Sequence, residues 1–238
     1  MTVKTFITGL AVSFGAPWLF IIVAPSVAMN NVEPVDFDEG ADGREGVYRP
    51  LRNGRIADGS KQYAANGCYI CHTQVIRTTR AGSDVWREDW AGVPASKDNP
   101  VDTRRESNVF DYDGESFAQI GLTRTGPDLS NVGLRIERYA ADKGVSPEAW
   151  VYHHLYNPNG GDRWNSVCPA QEHLFRAANE NGQGPSADKA VYDEDRDETV
   201  VPKAEAEALA SYLLSLKKND IVPFSMNYRG DKKRADAQ

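Results

Sequence analysis

The stretch from Phe6 to Met29, "FITGLAVSFGAPWLFIIVAPSVAM", runs 24 residues without a charge. As a helix it is about 36 Å long, more than the roughly 30 Å hydrocarbon core of a bilayer. The chain is therefore expected to divide into an apolar anchor and a part that folds outside lipid. A cleaved secretory leader is the rival reading, because "SVA" before Met29 resembles a small-residue cleavage site. Leader apolar regions are only about 7–15 residues long, so length favours a retained anchor. Pro17 lies inside the span, where it removes a backbone donor and is expected to kink the helix; a neighbouring membrane helix would satisfy the freed carbonyl. Lys4 precedes the run, and Glu33, Asp36, Asp38 and Glu39 follow it. The positive-inside rule then places the bulk of the chain outside, in the periplasm or its equivalent, behind a single-pass anchor.

The net charge of -7 argues against a nucleic-acid partner, which needs a basic face to release counterions from phosphates. It suits a basic protein partner better. Three cysteines in 238 residues cannot organise a disulfide-stapled domain, so each is weighed individually. Residues 1–29 are the transmembrane anchor. Residues 30–57, rich in Asp, Glu, Gly, Arg and Pro without an apolar period, are expected to form an extended linker; 58–218 form the folded domain and 219–238 a charged tail. Three helices are expected in the domain. One is capped by Ser60 and runs through "KQYAANGCYICH"; another follows the Ser146 cap with Pro147 in its first turn and stops at Asn157–Pro158. The third spans Pro202 to Lys218 and aligns Leu209, Tyr212, Leu213 and Leu216 on one face. Residues 78–121 and 176–200 read as long polar loops with one strand-like piece at "NVFDY", so the fold class is mostly α.

Cys68, Cys71 and His72 spell C-x-x-C-H. One helical turn presents two sulfurs to one edge of a porphyrin for thioether formation, and the next residue aims its imidazole at iron. A zinc site wants four ligands, usually as two such pairs, and only Cys168 and three distant histidines remain. A thioredoxin-like redox pair needs a β-α-β context that is absent from the pattern. One covalently attached haem c is the expected cofactor.

The segments "GCYICHTQVIR" from Gly67, "FDYDG" and "RTGPDLSNVG" between Phe110 and Gly133, and "HHLYNP" from His153 resemble subunit II of cbb(3)-type cytochrome c oxidases, the membrane-anchored monohaem subunit. The likeness covers roughly residues 18 to 175, with a further similar stretch at the last helix. It implies one transmembrane helix followed by a cytochrome c-like α domain with long loops. It also implies an electron-transfer role, non-catalytic in itself, beside a catalytic haem-copper subunit and another cytochrome c subunit, with a soluble cytochrome c as electron donor. By this resemblance Arg124, Gly126, Pro127 and Leu129 lie against the haem edge, and Pro127 supports the proximal histidine. The residues agree in part, since "TGP" makes a tight turn and a proline carbonyl suits the spare imidazole proton, although an ordinary surface turn would read the same. His154 is a candidate for a haem propionate or is a histidine at the core edge. Arg77 and Arg80 are further propionate candidates or merely exposed arginines.

One feature departs from the family. Its sixth iron ligand is a methionine ahead of a proline, and here that segment reads "RWNSVCPAQEHLF", with Cys168 in the methionine's place. Cys168, Met226, His173 and an open or water-bound site all stay open as the sixth position, and Cys168 can equally be a small buried hydrophobe. A thiolate would lower the potential relative to a thioether. Two other readings remain: a free-standing anchored cytochrome shuttle, and a haem enzyme of sulfur-compound oxidation that uses Cys168.

Overall fold

The computed structural model describes residues 2–227 apart from 51, 53, 88, 98–99, 161–165, 179–185, 187 and 194–195. The fold is mostly helical, as expected, and begins with α1, a 28-residue apolar helix from Val3 to Asn30 that buries none of its surface in the protein. Thr2 caps it by accepting the Thr5 N–H. The helix does not break at Pro17. It opens into a π turn over Leu19–Val23, in which the Ala24 N–H reaches back to the Leu19 carbonyl. That turn lies between Pro17 and Pro25, and the wider coil relieves the crowding a proline ring imposes on the carbonyl four residues before it. In length and composition α1 can cross a membrane.

The expected linker has structure of its own. Strands β1 (Val35–Asp36) and β2 (Val47–Tyr48) pair antiparallel, with the single turn α2 (Glu39–Asp42) between them. The hairpin is fastened to the other end of the chain: Asp42 Oδ1 accepts the Phe224 N–H at 2.8 Å, and Arg44, stacked over the Phe37 ring, donates to the Ile221 carbonyl. The tail is correspondingly packed through Asn227, with Val222 and Met226 buried; residues 228–238 lie outside the described set. Charge and glycine content hid these contacts because they are made by single side chains and not by an apolar period.

Helix α3 (Gly54–Ala65) begins six residues ahead of Ser60, since Ile56, Gly59 and Tyr63 already form one face that packs on α7 (Ala204–Ser215). The two helices touch backbone to backbone. A Cβ on Gly59 would sit 2.0 Å from the Ala208 carbonyl oxygen, and Tyr63 and Tyr212 tilt against each other at 5.7 Å beside this crossing. Gly67, at φ +69°, ends the helix and starts the single turn α4 (Cys68–Cys71), so the predicted continuous helix is two.

Helix α5 (Val132–Lys143) was not expected, although Val132, Ile136 and Ala140 recur every four residues on its buried face. Helix α6 (Pro147–Tyr156) matches expectation, with Ser146 Oγ accepting the Ala149 N–H at 3.2 Å. On α7, Leu209 and Tyr212 are buried as expected, as is Leu216 just beyond it. The "NVFDY" piece is not a strand but a 3-10 turn over Val109–Tyr112, closed by Asn108 and Asp111 as a capping box. The strands lie elsewhere: β3 (Phe175–Ala177), β4 (Val191–Asp193) and β5 (Glu198–Pro202) form an antiparallel sheet in the order β3-β5-β4. Helices α3, α5, α6 and α7 and this sheet share one core around Tyr63, Ile136, Val151 and Leu209. Ile76, Val85, Trp90 and Ala91 make a second, smaller one.

Lys218, beyond the end of α7, is buried with its ammonium 3.2 Å from Asp111 Oδ2, a carboxylate that Arg105 also grips with both nitrogens. Burial pushes its pKa down to about 8 from 10.5, against the attraction of Asp111. The charged form is thus disfavoured in the folded state, and the unfolded chain binds the extra proton between these values. Stability is expected to rise by about 2 kcal/mol from pH 8 to pH 10. Lys218→Met should flatten that rise and raise the melting temperature at pH 7. Denaturation followed at several pH values checks both; a flat wild-type profile contradicts the assignment. Above pH 10 the burial-raised phenols of Tyr63, Tyr112 and Tyr212 reverse the trend, because the unfolded chain loses those protons first.

Candidate functional site

Gly67 directs the chain from α3 into α4, and this one turn carries Cys68 and Cys71 three residues apart, both half-buried free thiols. Cys68 and Tyr69 pack against the main core, which fixes the turn. His72 leaves the helix in extended conformation while its N–H still donates to the Cys68 carbonyl at 3.0 Å.

The imidazole has a defined tautomer. His72 Nδ1 lies 2.8 Å from the Pro127 carbonyl oxygen, which can only accept, so Nδ1 carries the proton and Nε2 keeps its lone pair. Burial pushes the His72 pKa below its usual value, with the Pro127 bond opposing, so the ring is neutral at pH 7. Gly126 lies flat against the ring: a Cβ there would meet His72 Cε1 at 2.2 Å and Nδ1 at 2.6 Å. Gly121, at φ +87°, comes equally close to the His72 carbonyl.

The 119–129 segment is laced along the motif by hydrogen bonds, from Leu122 N–H to the Tyr69 carbonyl, Gly126 N–H to Cys71, and Leu129 N–H to Thr73, at 2.7–2.9 Å. The Thr123 hydroxyl adds a bond of 2.6 Å to the Ile70 carbonyl. Fully buried Asp128 receives the Thr73 hydroxyl at 2.6 Å and the Val75 N–H at 2.9 Å. The segment after His72 is held as firmly as the one before it.

Arg124 belongs to this scaffold. Its guanidinium donates to Thr73 Oγ1, the Val75 carbonyl and both oxygens of Asp84, a carboxylate with no exposed surface. Arg77 binds the same carboxylate through its backbone N–H and its guanidinium, and Trp90 lies under both Arg87 and Arg124. Burial alone would raise the Asp84 carboxyl, but the bonds from Arg124 and Arg77 prevail and hold it well below the carboxylate range. Arg77, a propionate candidate, and Arg124, expected against the haem edge, are thus both engaged with Asp84. His154 stacks parallel on Trp150 at 5.5 Å, with Tyr139 on the same indole at 5.7 Å, a role that spacing alone did not indicate.

Cys168 is half-buried, and it lies within electrostatic reach of the motif: its charge raises Cys68, and Cys71 in turn raises Cys168. Burial is the larger cause in both cases and takes Cys68 up to about 11, so both are neutral thiols at pH 7. The other sixth-ligand candidates are engaged elsewhere. Met226 is buried in the tail turn Phe224–Met226, and His173 Nε2 donates to Asn66 Oδ1 at 2.7 Å. Around the thiols the surface is unusually apolar, with Ile70 49% exposed, Leu122 71% and Val167, next to Cys168, 72%.

Two thiols on one turn, an imidazole with a free Nε2 behind them, a glycine against the ring and an uncovered apolar rim fit a flat apolar group attached through sulfur. Among the described residues no cluster of three or more His, Cys, Asp or Glu side chains is arranged to hold a bare metal ion. No protein-family model matches the sequence, and no curated protein matches it.

Proposed function

We propose that this chain is the membrane-anchored electron-transfer subunit of a cbb(3)-type haem-copper oxidase, carrying one haem c on a cytochrome c-like domain in the bacterial periplasm. The observation that carries the reading is the His72 tautomer: the Pro127 carbonyl holds Nδ1–H, which leaves Nε2 as the donor one residue after the second cysteine of C-x-x-C.

Cys68 and Cys71 would hold the porphyrin through thioethers, and His72 Nε2 would be the proximal ligand. Haem c supplies one-electron redox chemistry when bound. The chain's own contribution is orientation and exclusion of water. Gly126 leaves room for the imidazole ring, Pro127 fixes its rotation, and Ile70, Leu122 and Val167 would shield the porphyrin edge. Arg77 and Arg124 act one layer out by fixing the 72–77 segment through Asp84. His154, on its Trp150 stack, is left without a defined part in cofactor binding.

The partners in this reading are the catalytic haem-copper subunit, a second cytochrome c subunit and a soluble cytochrome c donor, with α1 as the contact within the lipid. Native purification in mild detergent should bring down a multi-span partner with haem-copper spectra; recovery of the chain alone would remove the oxidase assignment. Cys168 is the sixth-ligand candidate favoured here, because its charge acts on Cys68 and that of Cys71 acts on it. Cys168→Ala should then alter the low-spin absorption and raise the midpoint potential, while Met226→Leu leaves both unchanged. The opposite pattern would move the ligand to Met226. Cys168 also favours a second reading, haem-dependent oxidation of small sulfur compounds, which requires reduction of the protein by thiosulfate and falls without it.

A further inference from the structure

The passage from α1 into the folded domain is short. The Asn31 and Val32 N–H groups still donate to the Ala28 and Met29 carbonyls, so only Glu33 and Pro34 separate that last helical turn from β1. The headgroup layer on one side of a bilayer is about 5–7 Å deep. Residues 31–34 extend over at most ~14 Å, so β1 begins at or just above the headgroups when α1 spans the bilayer.

From β1 onward the chain is fastened to the domain. Arg44 donates to the Ile221 carbonyl across 177 positions, and Asp42 accepts the Phe224 N–H across 182. The tail they grip is itself fixed, with Val222 and Met226 buried. Farther along, the Arg52 guanidinium donates to Glu115 Oε1 at 2.7 Å. A two-stranded ribbon alone is marginal in water, so β1 and β2 persist because these contacts hold them. Residues 30–57 as a loose linker would let the domain stand as far as ~95 Å from the end of α1. With the hairpin held, four residues remain as tether.

We propose that this clasp is a strap that seats the folded domain on the membrane surface, with the hairpin and residues 219–227 toward the lipid headgroups. A domain so held samples only a thin shell around the end of α1. Its exchange partner must then stand beside α1 in the same bilayer, whereas a carrier swinging between distant complexes needs a free tether. The strap rests on α1 lying in a bilayer and on neither the haem nor the oxidase reading.

The test is neutron reflectometry of the full-length protein in phosphatidylcholine bilayers, which reads the height of the domain above the headgroups. The wild type should show no water layer deeper than about 15 Å. Asp42→Ala/Arg44→Ala frees residues 31–47, whose root-mean-square span as a loose chain is about 23 Å, and should raise the layer by about 10 Å or more. An insertion of eight Gly and Ser residues between Glu33 and Pro34 leaves the clasp intact and should raise it likewise. Glu39→Ala, an exposed change in the turn between the strands, should leave the height at the wild-type value. Circular dichroism checks that each variant is folded. A wild-type layer standing farther off, a double variant or insertion at the wild-type height, or a chain that does not enter the bilayer would each overturn the proposal.

Discussion

Gly59→Val will abolish the folded domain or lower its stability by about 3 kcal/mol or more, because the α3–α7 crossing has no room for a side chain. Even the first carbon would lie 2.0 Å from the Ala208 carbonyl oxygen and 2.6 Å from Tyr212 Cβ. Neither neighbour can rotate away, since one is backbone and the other is the root of a fully buried tyrosine. The helices must part, and overpacking of this kind costs about 1–3 kcal/mol where the structure yields and more where it cannot. Gly9→Val in α1, where nothing lies within 4 Å, controls for the change in chain entropy and propensity. Thermal denaturation followed by circular dichroism compares the two; a loss below about 1 kcal/mol at Gly59 contradicts the packing described.

Gly126→Ala should act on the site and not on the fold. Its added methyl would overlap His72 Cε1 at 2.2 Å, so the imidazole must leave the Pro127 carbonyl. Losing the partner that orients a ligating histidine typically weakens metal binding by about 10–100-fold. In the proposed cytochrome the low-spin spectrum should collapse, while the pigment stays attached through Cys68 and Cys71 and the melting temperature changes little. A spectrum identical to wild type would show that His72 is not positioned by this contact.

How far these features are legible in the sequence depends on the kind of signal each leaves. Helix α6 could be read from Ser146, Pro147 and Asn157 because caps act over three or four residues, and the buried face of α7 from its apolar spacing. Helix α5 was missed because Arg135, Glu137 and Arg138 interrupt its apolar stripe, although Arg135 is itself buried and bound to the Asp128 carbonyl. The β3-β5-β4 sheet was missed because its strands are short and joined by polar stretches, so neither period runs long enough to register.

At the site, Cys68, Cys71 and His72 stand out by spacing, while the Pro127 contact was implied by the family resemblance, with carbonyl chemistry agreeing only in part. The commitment of Arg77 and Arg124 to Asp84 could not be seen, because it depends on a carboxylate being fully buried between segments 7 and 40 residues away. Asp84 in the sequence is one acidic residue among 34. The clasp of Asp42 and Arg44 on residues 221–224 was hidden for the same reason, since contacts across some 180 positions leave no local period.

The most direct measurement is mass spectrometry of the intact, matured protein, together with peroxidase staining after denaturing electrophoresis. The wild type should carry one haem that survives denaturation, and Cys68→Ala/Cys71→Ala should lose it. A colourless wild-type chain, with both thiols free to alkylate, would contradict the proposed cofactor and with it the electron-transfer role.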